Sequence, residues 1–211
     1  MKSVKPVIIT LAIIHLIGII GIGLCIHHPE LFSLTWAFLL ASIGALLFFH
    51  RPFKWFHLPV FFSIVTIGFF AEVLGVKTGL IFGDYAYGGS LGYKLFDVPL
   101  LIGINWLMLV YCSRIIAEKI FRDRAFRIFF GALLMVAYDI VLEMPAGRLD
   151  MWTWATGSPG WSNYLGWFGV AVLMHCIVEC SKFRAENRLA RPLFIIQFLF
   201  FSFLTALFFV I

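Results

Sequence analysis

The sequence predicts an all-α integral membrane protein of about seven transmembrane helices, N-terminus inside and C-terminus outside. Three observations carry this. The 211 residues are 62% hydrophobic and only 13% charged, with a mean hydropathy of +1.00; soluble domains are roughly half apolar and a quarter charged. The apolar residues fall in runs of about 20, the length that crosses a ~30 Å hydrocarbon layer as a helix. The basic residues gather in alternate connections between those runs. Such a composition excludes a disordered chain, a coiled coil and a water-soluble enzyme.

Seven runs are read as helices: 6–26, 30–49, 57–76, 97–117, 125–143, 161–181 and 192–211. A helix satisfies its own backbone in lipid, which an open strand cannot do. The first run sits where a signal peptide would. It is too long, and its end at residues 21–26 offers no small-residue cleavage site, so it is read as a retained helix. The fifth run is the weakest, because it carries Asp139 and Glu143. No internal repeat or low-complexity linker divides the chain, so 1–211 is read as one domain. Two outer connections, 77–96 and 144–160, are long and rich in Gly and aromatic residues. They are expected to be ordered caps or re-entrant segments.

Charge sets the orientation. With the N-terminus inside, the inner ends hold Lys2, Lys5, Arg51, Lys54, Arg114, Lys119, Arg122, Arg124, Arg127, Lys182, Arg184, Arg188 and Arg191, which is 13 of the 16 basic residues. Only Lys77, Lys94 and Arg148 fall outside. This asymmetry is a topology signal, and it accounts for the net charge of +5 without a nucleic-acid partner. The acids divide the other way. Glu30, Glu72, Asp84, Asp97, Asp139, Glu143 and Asp150, seven of the 11, lie in the outer half. Charge within a membrane is costly and usually marks a site. Cys25, Cys112, Cys176 and Cys180 lie in or at the ends of apolar runs without paired CxxC spacing, so they read as small hydrophobes.

Three stretches carry candidate chemistry. The first runs from Glu72 through Gly75, Lys77, Gly79 and Gly83 to Asp84, Tyr85, Tyr87, Gly92 and Asp97. Glu72 is either an acid held in the apolar interior or the rim partner of Lys77. The second is Tyr138-Asp139 through Glu143 to Pro145. Asp139 and Glu143 are four apart and share a helix face. Two like charges there repel in low dielectric, so the pair is expected to hold a proton between them. The alternative is that Asp139 pairs with Arg148 or caps another helix. The third holds Asp150, Trp152, Trp154, Trp161, Asn163, Tyr164 and Trp167. It is either an interfacial aromatic belt or a lining whose π faces stabilise positive charge. Asn105, inside the fourth run, either orients a water or bonds another helix. His15 reads as a satisfied core histidine. His175, Cys176, Glu179 and Cys180 have spacing that suits a metal, but they lie toward the inner side, away from the other acids. Gly79 and Gly83 fit a small-xxx-small pair. No P-loop, GxGxxG, HExxH, GxSxG or DDxxD segment is present, and the seventh run has no Lys for a retinal Schiff base.

The pattern Glu72-x2-Gly75-x2-Thr78-Gly79-x3-Gly83-x-Tyr85-x-Tyr87, with Gly92 and Pro99 after it, resembles the carotenoid biosynthesis protein family. Asp139-x3-Glu143-x-Pro145-Ala, Trp152-x-Trp154 and Asn163-Tyr164-x-Gly166-Trp167 match the family's second half in order. The resemblance spans residues 70–168. The family includes carotenoid 1,2-hydratases and bisanhydrobacterioruberin hydratases. The resemblance implies hydration of the terminal double bond of an acyclic carotenoid ψ end group to a tertiary alcohol, with no redox cofactor and no metal. Protonating carbon needs a positioned acid in a dry site. The resulting cation needs shelter from aromatic faces and a carboxylate. On this reading Asp139 donates the proton, Glu143 tunes it, and Glu72 and Asp84 hold the water. Asp97, Asn105 and Asn163 support the site, and Tyr85, Tyr87, Trp152, Trp154 and Trp167 line it.

The implied partners are an acyclic carotenoid drawn from the bilayer, membrane lipid and other enzymes of the pathway. The implied location is a prokaryotic cytoplasmic membrane. Two other classes fit the same residues. A cyclase or isomerase would start with the same protonation, and a carotenoid-binding or ion-coupled transport protein would need no chemistry on the pigment.

Overall fold

Seven helices follow the seven apolar runs in a computed structural model that describes residues 3–24, 35–181 and 183–210. They are α1 (Lys5–Leu24), α2 (Thr35–Phe48), α3 (His57–Thr78), α4 (Leu100–Ile120), α5 (Arg124–Arg148), α6 (Trp161–Cys180) and α7 (Ala190–Val210). All but α2 are long and apolar enough to cross a membrane; α2 has 14 residues. The protein is an all-α polytopic membrane protein. Lys2, Cys25, Glu30, Lys182 and the start of the second run (30–34) lie outside the described residues.

α4 is the central helix. It packs against α2, α3, α5, α6 and α7, and Trp106, Met108, Leu109 and Val110 on it are essentially inaccessible. α3 meets α4 at close range because each presents a glycine. A Cβ on Gly68 would fall 2.7 Å from the Trp106 side chain, and one on Gly103 would fall 2.5 Å from the Val65 carbonyl. Small residues let membrane helices approach in this way. α1 packs on α7 and sits at the periphery.

Two expectations are corrected by the chain's path. The fourth run was expected to start at residue 97. Helix α4 starts at Leu100, because the preceding residues form a hairpin: β2 (Lys94–Leu95) pairs antiparallel with β3 (Val98–Pro99). Phe96 and Asp97 turn it with φ of 56° and 68°, the double positive φ of a type I′ turn. The fifth run was expected to stop at 143, with a loop from 144. Helix α5 continues to Arg148, with Pro145 inside it. Proline has no N–H for the carbonyl four residues back, here Val141. The Thr205 hydroxyl of α7 donates to that carbonyl at 2.6 Å, so the helix passes the proline without an orphaned acceptor.

The two long connections are ordered, as expected, and they hold strands. β1 (Tyr85–Tyr87) pairs antiparallel with β4 (Trp152–Trp154), with Tyr85 opposite Trp154, Ala86 opposite Thr153 and Tyr87 opposite Trp152. Gly79 ends α3 with φ of 68° and donates its N–H to the Gly75 carbonyl. This left-handed cap turns the chain toward β1. Gly79 and Gly83 therefore belong to a turn and pair no helices.

At the opposite end of the bundle an ion-pair network ties α4, α5 and α6. Glu179 takes two N–H bonds from Arg127, at 2.7 and 2.9 Å, and meets Arg114 at 3.1 Å. Glu118 takes Arg114 and Arg184.

Candidate functional site

The strand end of the bundle holds two carboxyl clusters joined by the β1–β4 ribbon. Strand side chains alternate faces, so Tyr85 and Tyr87 point one way, as do Trp152 and Trp154 across from them. That face turns toward the acids. Tyr85 packs on Trp154 with ring centroids 5.0 Å apart, and Tyr87 on Trp152 at 6.1 Å.

The first cluster centres on Glu72, 3% exposed near the end of α3. Its Oε2 accepts the Tyr85 hydroxyl at 2.5 Å and the Tyr87 hydroxyl at 2.7 Å, and its Oε1 accepts the Trp106 indole N–H at 3.0 Å. The Trp106 ring stacks on Trp167 at 4.2 Å. Burial, and then the negative field of Glu72, push both phenols far above their ordinary range. Both therefore remain O–H donors.

The second cluster centres on Asp139 and Glu143, one helical turn apart on α5. Asn163 of α6 bridges them: its Nδ2 donates to Asp139 Oδ2 at 2.7 Å and to Glu143 Oε1 at 3.0 Å. Glu143 Oε2 accepts Trp154 Nε1 at 2.7 Å and Trp152 Nε1 at 3.2 Å. Asp139 is fully buried, and its Oδ1 has no hydrogen-bond partner among the described residues. A buried carboxyl oxygen left open is costly and is a natural position for a transferable proton or a ligand atom.

Of the residues expected at the site, Glu72, Asp139, Glu143, Tyr85, Tyr87, Trp152, Trp154, Asn163 and Trp167 come together here. Three do not. Asp84 is exposed beside the Gly79 turn. Asp97 sits at the hairpin tip, bonded to Lys77 and held below the usual carboxylate range by that hydrogen bond and then by the ammonium charge. Asn105 lines an apolar cavity elsewhere on α4. The Glu72–Lys77 pair is not formed, because Lys77 goes to Asp97. The Asp139–Arg148 pair is not formed either; the Arg148 guanidinium lies 5.9 Å over the Phe208 ring.

Among the described residues no group of three or more His, Cys, Asp or Glu is placed to hold a metal, the His175 set included. His175 Nε2 meets the Ser113 hydroxyl at 3.1 Å, and Glu179 is held by the two arginines. His15 bonds the Leu11 carbonyl at 2.7 Å.

Two features escaped the sequence. Trp106 is a direct donor to Glu72, and its signal was an indole N–H in an apolar span, which needs a partner. The other is a buried chain at the opposite end, with no signal in spacing. His50 Nδ1 meets the Tyr111 hydroxyl at 2.8 Å, and His50 Nε2 meets His57 Nδ1 at 2.8 Å. Asn187 donates to the Tyr111 oxygen at 3.1 Å and to the Leu46 carbonyl at 2.7 Å.

Residues 32–211 match the family model described as carotenoid biosynthesis protein. A protein named bisanhydrobacterioruberin hydratase, from Haloarcula japonica, is 30% identical over 115 residues. That match covers 49% of this chain and 39% of the relative, so the chain spans well under half of the curated relative's length. No solved structure matches.

Proposed function

The chain belongs to the carotenoid biosynthesis protein family, and from that membership we propose that it hydrates the terminal double bond of an acyclic carotenoid ψ end group. The relative named as a hydratase supports this reading. The single observation that carries it is the asymmetry between Asp139 and Glu143. Glu143 receives three N–H donors, while Asp139 receives one and keeps Oδ1 open in a dry interior. Hydrogen bonds from N–H groups favour the charged form of a carboxyl group. The negative charge of the pair therefore rests on Glu143, and the proton on Asp139.

The alkene π electrons take that proton at the less substituted carbon, leaving a tertiary cation and an Asp139 carboxylate. The indole and phenol rings on the β1–β4 face and the fixed Glu72 carboxylate hold the cation electrostatically. A water oxygen bonds the cationic carbon, and its surplus proton returns to a carboxylate of the Asp139–Glu143 pair. The net change is addition of one water. The polyene reaches the site from the lipid of a prokaryotic cytoplasmic membrane, and enzymes that supply or consume the acyclic pigment are its expected neighbours.

The test is expression in a lycopene-producing bacterium, with pigments compared by mass. The expected product is more polar and heavier by one or two waters. A new pigment of unchanged mass would replace hydration with cyclisation or isomerisation. No new pigment, with the protein verified in the membrane, would overturn hydration of this substrate.

A further inference from the structure

An apolar cavity of about 500 Å³ lies beside α5, on a face that Tyr138 and Leu142 line and the carboxyl pair does not. This is within the usual range of small-molecule sites, roughly 300–1,000 Å³. It is walled by α1, α2, α4, α5 and α7 and by the segment around β4. Tyr138 and Leu142 face it, one residue before Asp139 and Glu143 respectively. The carboxyl groups themselves do not line it. Trp152 belongs to both places: it lines the cavity, and it donates its indole N–H to Glu143 at 3.2 Å, the longest bond in that cluster.

The cavity reaches the surface of the bundle. Its wall includes Ile17 of α1, 63% exposed, and Phe38 of α2, 43% exposed. α1 packs on α7 and α2 on α4, so different helices hold the two edges of this opening. Gly21 stands on α1 at the same mouth, and a Cβ there would meet nothing within 4 Å. Two amides interrupt the largely apolar lining, which also includes His15 and Thr35. Asn105 has no side-chain partner among the described residues, and Gln197 Nε2 has only the thioether sulfur of Met108 at 3.7 Å, a weak acceptor.

We infer that this cavity seats the terminal isoprene units of the acyclic polyene, which enters from lipid between α1 and α2 and is separated from the carboxyl pair by the Trp152 indole. The inference rests on the hydration reading and adds the location and route of the substrate. A largely apolar cavity open at the flank of a membrane bundle suits a polyene. The two poorly partnered amides suit a water or the product hydroxyl in a largely apolar lining. Trp152 is a positioning residue whose weakest bond must yield for the end group to reach Asp139.

The experiment uses the full chain purified in detergent from a lycopene-producing host, with bound pigment measured per protein by absorbance and converted pigment by mass. Gly21→Phe plugs the mouth, and Ile17→Trp is a second plug at an exposed position. Gly44→Phe is the size-matched control, since Gly44 also has nothing within 4 Å and lies off the cavity. Both plugs are expected to lower lycopene retention by about tenfold, equivalent to about 1.4 kcal/mol of binding, with unchanged elution profiles. Gly44→Phe and Asp139→Asn are expected to retain pigment like the parent. Full retention and conversion in both plugged variants would overturn the cavity assignment and leave the hydration reading standing. A parent chain that neither retains nor converts lycopene would overturn that reading and the cavity with it.

Discussion

The distinction between Asp139 and Glu143 is made by their neighbours rather than by their chemistry. Both are carboxyl groups on one face of α5, yet three N–H donors converge on Glu143 and one on Asp139. Asp139→Asn keeps the size and removes the proton. It is expected to lower turnover by at least about 100-fold, the low end for a general acid, at unchanged membrane level. Retained turnover would remove Asp139 from the chemistry. The acids and the aromatic residues around them were legible in the sequence, because charge in an apolar run has few structural excuses. Which acid each aromatic residue serves was not legible, since the β1–β4 register decides it.

The same scale gives a pH prediction at the other end of the bundle. Burial first, and then the neighbouring charges of His57 and Arg51, lower His50 to about 4 from an ordinary 6.5. Between those values the unfolded chain binds a proton that the folded chain does not. Stability therefore rises with pH across that window and is lost as pH falls through it. Thermal unfolding of the parent in detergent should show this loss between pH 6.5 and 4, and His50→Gln should make it shallower. A parent profile that is itself flat there would contradict the buried, neutral state of His50.

Among the elements, α5 shows what periodicity alone misses. The apolar run ends at 143, two residues before Pro145, yet α5 continues through the proline to Arg148. The rescue comes from another helix: Thr205 donates to the Val141 carbonyl that Pro145 leaves free. No local rule could supply a partner 64 residues away. Thr205→Val is expected to cost about 0.5–1.5 kcal/mol of stability, read as a lower unfolding temperature in detergent, while Thr205→Ser should behave as the parent. The start of α4 was misplaced for a related reason. Asp97 looked like the head of a span, but the Phe96–Asp97 turn puts it on an exposed hairpin tip with Lys77. The ion pair written for Glu72 was thereby transferred to Asp97.

Across the whole molecule, the helix count came from hydropathy, and the sites follow the charge separation. Glu72, Asp139 and Glu143 lie toward the strand end, while Arg114, Arg127 and Arg184 lie at the other end with their glutamates. The positive-inside asymmetry then predicts that the strand end faces outward. A single cysteine placed at Gly157, in the exposed turn after β4, should react with an impermeant thiol reagent added outside intact cells. Labelling only after the cells are opened would reverse the orientation. The cavity was invisible in the sequence, because its walls come from five helices whose apolar residues are indistinguishable from lipid-facing ones.

The central claim is that one end group gains a proton on carbon and a hydroxyl from water. The most direct measurement is conversion of lycopene by the purified chain in water enriched in deuterium and heavy oxygen, with the product read by mass spectrometry. Hydration gives one heavy oxygen and one non-exchanging deuterium for each end converted. A product that carries deuterium without oxygen, or neither label, would contradict it.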